Sequence, residues 1–255
     1  MEIYSYTFLI SAVMIFLTLI FASYSDLKYR RFAHKNWYPL LCMGLPISIV
    51  GYYELFLDGR YWFVGLILMT AGICVLAYAM GLLGLCGGAD TWAIIFIAVF
   101  LPVYPVQPIF GIPAHNSFAL SVLTIAILFN LSIPLYLFII NSCDKDKVPF
   151  WYRFIVHKVT IQKISVSHGY VIEGDSEISD STPHFLPISY VLRGGQSGGL
   201  IDVRDMVDRA GNTPEQYLRY LSKGYVWVSY ASPFLVFITI GFIVSILFGD
   251  VSKII

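Results

Sequence analysis

Long apolar stretches separated by short polar ones set the pattern of this chain. Apolar runs long enough to cross a hydrocarbon layer of about 30 Å cover 5–24, 37–54, 61–83 and 117–141. A shorter run, 91–107, ends among Pro102, Pro105 and Pro108, and a last one covers 229–248. The pattern predicts an α-helical polytopic membrane protein with about six transmembrane helices, the one over 91–107 having a half-helix as its alternative. Between 142 and 228 the pattern changes, and no run reaches spanning length. Phe154 to Ile172 alternates apolar and polar positions with many β-branched residues, which predicts two or three short strands. Further on, Asp202 is placed to cap a helix through Arg209 that Gly211 closes. Thr213-Pro214-Glu215-Gln216 is a capping-box start with proline at the first helical position, and Gly224 is a plausible stop. The expected organisation is five transmembrane helices over 1–141, a small soluble α+β insert over 142–228, and a last transmembrane helix over 229–255.

Composition agrees with the pattern. Of the 255 residues, 58% are apolar and 13% charged, against about 25% charged in an ordinary soluble domain. Mean hydropathy is +0.74. The formal net charge is zero and no basic stripe stands out, so nucleic acid is not an expected partner. Cys42, Cys74, Cys86 and Cys143 are scattered without a CxxC pair, which predicts free, buried thiols rather than a disulfide framework or a zinc site. The five histidines show no ligand spacing, so neither a metal nor another cofactor is expected. Met1-Glu2 opens the chain without a basic region, so the first run is expected to be a retained helix. Tyr4, Tyr6, Trp37, Tyr52, Tyr53, Tyr61, Trp62, Trp151, Trp227 and Tyr230 fall near span ends, as interfacial belts do.

Charge then orients the spans. Lys28, Arg30, Arg31 and Lys35 follow the first span, and ten of the sixteen basic residues lie in 142–228. If both regions are cytoplasmic, only Arg60 and Lys253 are outside, and six spans with the N-terminus outside satisfy this. That topology sets Asp26 and Asp90 at the cytoplasmic ends of their helices in the cell membrane.

These two carboxylates ask for a reason. A charged residue deep in lipid costs about 2.5–3.5 kcal/mol, and the other fourteen acidic residues fall in outer loops, termini or the insert. Two carboxyls close together in a low-dielectric site cannot both ionise cheaply, so they share a proton and their pKa values split. The ionised member can activate a water against a peptide carbonyl while the other donates a proton. Ahead of Asp90 stand Gly87, Gly88 and Ala89, and glycines permit backbone conformations and approach distances closed to other residues. The plain alternative makes Gly87 and Gly88 a helix end and Asp90 the N-cap of a helix starting at Thr91. Asp26 would then be an interfacial charge paired with Lys28 or Arg30.

Gly87-Gly88-Ala89-Asp90 at the start of a membrane helix resembles the GxGD signature of membrane aspartyl proteases. Asp26-Leu27-Lys28-Tyr29-Arg30-Arg31, followed by Asn36, is similar to the first-aspartate segment of type IV prepilin peptidases. The constellation resembles the archaeal preflagellin peptidase, or class III signal peptidase, branch of that family. Ala89 departs from the signature's second glycine. The paired-cysteine zinc module of many bacterial members is missing, so the N-methylation that accompanies it is not implied. No Pro-Ala-Leu follows Asp90, which disfavours the presenilin branch. The resemblance implies an aspartic endopeptidase that removes the short basic leader of prepilin or preflagellin precursors at the cytoplasmic face. Asp26 and Asp90 would then be catalytic, Gly87, Gly88 and Ala89 would shape the loop, and Lys28 and Arg30 would lie at the headgroups near substrate.

The remaining motifs are weaker. Arg193-Gly194-Gly195-Gln196-Ser197-Gly198-Gly199 lacks the Lys-Ser/Thr of a phosphate loop and reads as a flexible loop. Ser117 and Ser121 near His115 have no third partner for a triad. Asp202, Asp205 and Asp208, or Asp175, Glu177 and Asp180, offer charge to a basic leader, with a solvated surface as the simpler reading. The competing function is a small cation or proton transporter using the membrane carboxylates. It calls for polar residues along the helix interiors, and apart from Asn130 and a few Ser or Thr these are apolar.

Overall fold

The computed structural model describes residues 6–29, 32–83, 86–111, 117–144, 148–160, 169–172, 224–230 and 232–249. The chain divides into two compact units, Met1–Asn130 with Pro233–Ile255, and Leu131–Ser232.

The described part of the first unit is helical. It holds α1 (Tyr6–Tyr29), a 3-10 turn (His34–Trp37), α2 (Tyr38–Asp58), α3 (Arg60–Leu82), α4 (Gly88–Phe100), the first half of α5 (Phe118–Cys143) and α6 (Phe234–Phe248). Four segments are long and apolar enough to cross a membrane: Tyr6–Tyr29, His34–Asp58, Trp62–Leu82 and Phe118–Cys143. The helices α4 and α6 are apolar but shorter. This is a polytopic membrane protein. Its helices turn apolar side chains outward as well as inward: Leu17, Met43, Leu68, Val75 and Leu131 are all exposed. A helix that is apolar on every side has hydrocarbon, not water, as its surroundings.

Small residues let these helices approach. Gly44, Ser48 and Gly51 form a buried stripe on α2. A Cβ on Gly44 would stand 2.8 Å from the Phe100 ring, and one on Gly51 equally close to Phe8. On α6, a Cβ at Gly241 would come within 2.5 Å of the Val122 carbonyl oxygen of α5. Polar contacts fix the register between α1 and α6. The hydroxyls of Ser23 and Thr239 lie 2.7 Å apart, and Ser23 also donates to the Leu235 carbonyl at 3.1 Å.

Helix α4 stops at Phe100 because Pro102 cannot continue it. The following irregular segment is still packed. Tyr104 donates to Ser121 at 2.6 Å and sets its ring against Phe118, while the Phe110 N–H bonds the Leu247 carbonyl. Such backbone is tolerated at membrane depth when its polar groups find partners in the protein.

The described strands of the second unit enclose a small apolar cluster of their own. β1 (Val156–Thr160) pairs antiparallel with β2 (Tyr225–Ser229), Val156 opposite Ser229, and Val171 bridges to Val228. Val148, Val156, Ile172 and Trp227 are buried together. The Asn141 amide ties the end of α5 to this sheet by donating to the Arg153 and Val156 carbonyls. Lys158 pairs with Asp144 at 2.6 Å and lies over the Tyr225 and Trp227 rings. Gly169 has φ +141°, and a Cβ there would collide with the Ser229 carbonyl oxygen. Only glycine meets both demands.

Several sequence expectations shift. The last apolar run is not helical from 229: Tyr225–Ser229 forms the strand opposite β1, and α6 starts at Phe234. Trp37 and Trp227 do not belong to an interfacial belt, because both are buried, at 3% and 0% exposure. The four cysteines are free, but Cys42 and Cys143 are exposed and the other two half-buried. The expected helices at 202–209 and 213–223, the 193–199 loop, the acidic clusters and His115 lie outside the described residues.

Candidate active site

Asp26 lies one turn from the C-terminal end of α1 and Asp90 in the first turn of α4, both half-buried. These helices pack together within the first unit. The two carboxylates stand within each other's electrostatic reach.

Local chemistry fixes Asp90. The N-cap of α4 is Gly87, with ordinary extended angles of φ −65° and ψ 153°. Its N–H donates to Asp90 Oδ2 at 3.0 Å, the acidic half of a capping box. The Thr91 N–H and hydroxyl both donate to the Gly87 carbonyl, at 3.0 and 3.2 Å. Asp90 is therefore the third helical residue and not the N-cap. The glycine is needed for approach and not for conformation: a Cβ on Gly87 would stand 2.9 Å from Asp90 Oδ2 and press on the carboxylate. Ala89 is the second helical residue, half-buried against the core, where helical backbone demands no glycine. Gly81 of α3 admits the helix start, since a Cβ there would meet the Thr91 hydroxyl at 2.6 Å.

A chain of edge-on and tilted aromatic contacts carries the α1–α2 connection onto α4. Phe21 of α1 meets Phe32, Phe32 meets Trp37 at 4.9 Å between centroids, and Trp37 meets Phe96 of α4 at 5.3 Å. This ladder joins the helix bearing Asp26 to the helix bearing Asp90. Three residues before Asp26, Ser23 makes the contact with α6 described above.

The other expected site residues divide. Lys28 is exposed and folds back on its own helix, 3.4 Å from the Tyr24 hydroxyl and over the Tyr29 ring. Arg30 lies outside the described residues. Gly87 and Gly88 are exposed beside Asp90. Cys86, in the bend before α4, is held un-ionised: burial first, then the Asp90 carboxylate, push its thiol up to about 11. A thiol in that state is a poor nucleophile. Among the described residues, no three His, Cys, Asp or Glu gather in a way that would hold a metal ion.

Sequence reasoning passed over His34. Its imidazole rests against Gly88, with Cε1 3.5 Å from where a Cβ would stand. No sequence signal links two positions 54 residues apart, although His34 falls inside the segment that starts with Asp26.

Comparison with known families completes the picture. Residues 13–141 match the type IV leader peptidase family, and residues 148–251 match the archaeal peptidase A24 C-terminus, type II. A comparison with curated proteins finds no match. The first match covers both aspartates and the second the sheet and α6. The chain belongs to the type IV leader peptidase family: it is a membrane aspartic-type peptidase for prepilin- or preflagellin-like precursors.

Proposed function

We propose that Asp26 and Asp90 are the catalytic pair of this peptidase and that they cut at the junction of a short basic leader and an apolar helix. The observation that carries the reading is their placement: two half-buried carboxylates, distant in sequence, stand on packed helices within each other's electrostatic reach, in the segment matched to a leader peptidase family. One carboxylate draws a proton from water, which attacks the scissile carbonyl. The protonated partner donates to the carbonyl oxygen; the first carboxyl, now carrying the water proton, then protonates the leaving nitrogen while the partner takes a proton back from the tetrahedral intermediate. The roles exchange through the cycle, so the pair titrates as a unit. Water and two carboxyls suffice, with no cofactor.

The site then lies at the cytoplasmic face of the cell membrane. Six spans with the N-terminus outside leave fourteen of sixteen basic residues inside, as the positive-inside rule favours. The precursor's leader stays in the cytoplasm, its apolar helix lies in the bilayer, and Lys28 and Arg30 flank the cut near the headgroups. In this reading the helices within 1–141 and the last apolar helix, α6, form the membrane part that holds the site, and 142–228 is a soluble cytoplasmic module.

The test is leader removal in isolated membranes from a precursor with a basic leader. Wild type is expected to cut, and Asp26→Asn and Asp90→Asn, at equal expression, to be inert. Near-normal cutting by either variant would refute the two-carboxylate mechanism.

A further inference from the structure

We infer that His34 is a substrate-contact residue that determines which side chain is accepted beside the scissile bond, an inference that rests on the Asp26–Asp90 reading. Its imidazole lies over Gly88, Cε1 at 3.5 Å and Nε2 at 3.9 Å from the position of a Cβ. Gly88 is two residues from Asp90, so the ring borders the loop that holds the carboxylate. The ring is exposed and makes no hydrogen bond or ion pair with any described residue. Among the described residues, none occupies its nitrogens.

Specific contacts hold the turn under this ring. His34 begins the 3-10 turn in which Asn36 N–H bonds the Ala33 carbonyl at 2.9 Å. The same turn ends in Trp37, buried and packed at a tilt against Phe96 of α4. Imidazole and Asp90 are therefore positioned from one helix, as a precise contact requires. A structural role explains less. An exposed ring touching a glycine buries little, and the Phe32–Trp37–Phe96 stack holds the turn without it.

An extended polypeptide reaching the carboxylates along Gly87 and Gly88 meets no side chain from those two residues. It does meet the imidazole edge. The ring is a wall that limits the size of one substrate residue and a hydrogen-bond partner for the backbone beside it.

The test uses full-length enzyme in membranes and a panel of precursors carrying Gly, Ala, Leu or Phe on each side of the cut in turn. Wild type, His34→Ala, His34→Gln and Asp90→Asn are compared. His34→Ala is expected to improve bulky substrates relative to small ones about tenfold on one side of the cut, the scale of discrimination a pocket wall provides. KM for the preferred precursor should rise while kcat stays within about twofold, and His34→Gln should restore KM by returning a hydrogen-bonding nitrogen. An unchanged rank order and KM in His34→Ala, with Asp90→Asn inert, overturns the inference alone. Cleavage by Asp90→Asn overturns the dyad and this inference with it.

Discussion

The two units are held together by different kinds of contact. In the first, Leu17, Leu68 and Val75 face outward, while Ser11, Ser23, Ser48 and Thr239 are buried between helices. In the second, Val156, Ile172 and Trp227 are buried and Lys158 pairs with Asp144 near the surface. Where hydrocarbon surrounds the protein, apolar burial gives no preference for one helix packing over another. Close contact and a few polar bonds must set the arrangement. In the sheet unit, apolar burial itself drives folding. The proposed dyad would therefore depend on packing details: Gly81 admits the start of α4, Gly87 leaves room for the Asp90 carboxylate, and the Ser23–Thr239 contact holds α1 against α6.

Substitutions can break that contrast. The largest effect is expected from Trp227→Ala, which empties the centre of the second core and should cost about 3–5 kcal/mol there. Limited proteolysis should open the sheet unit, with cuts in 148–172 and 224–230 appearing first. Next comes Leu68→Asp, at an outward position near the middle of α3. It should impair insertion by about 2.5–3.5 kcal/mol if lipid covers that face, and a glycosylation-mapping assay would register an unaffected helix as evidence against it. Ser23→Ala should cost only about 0.6 kcal/mol of helix association. Leader cleavage should nevertheless slow, and the Ser23→Ala, Thr239→Val double variant should be little worse than either single.

The smallest effect concerns pH. Burial lowers the affinity of His157 for a proton in the folded sheet unit, the bond it donates to the Val228 backbone opposing this in part. The unfolded chain therefore takes up the proton first as pH falls below about 6.5. Sheet-unit stability should be flat above that pH and decline below it, and a melt series from pH 7.5 to 5 should show the decline weakened in His157→Asn.

Much of this was legible in the chain. Hydropathy sums over 18 or more residues, so α1, α2, α3 and α5 stand out whatever their packing. Asp26 and Asp90 stand out because a carboxylate at the edge of an apolar run is costly. β2 was hidden because Tyr225-Val226-Trp227-Val228-Ser229 runs into the apolar residues of α6, and its partner β1 lies more than 60 positions earlier. Trp37 was misjudged because a tryptophan at a helix end fits an interface as well as a stack on Phe96. The cap at Gly87, and with it the position of Asp90 at the third helical residue, depends on a 3.0 Å bond that spacing does not reveal.

The central claim is that Asp26 and Asp90 act as one catalytic unit. Single-turnover leader cleavage by wild type, Asp26→Asn, Asp90→Asn and the double variant tests it most directly. The account predicts that each single change abolishes cleavage and that the double variant is no worse than either, because groups that act as a unit are lost together. Independent, multiplicative losses, or a single variant that still cuts at near wild-type rate, would contradict it.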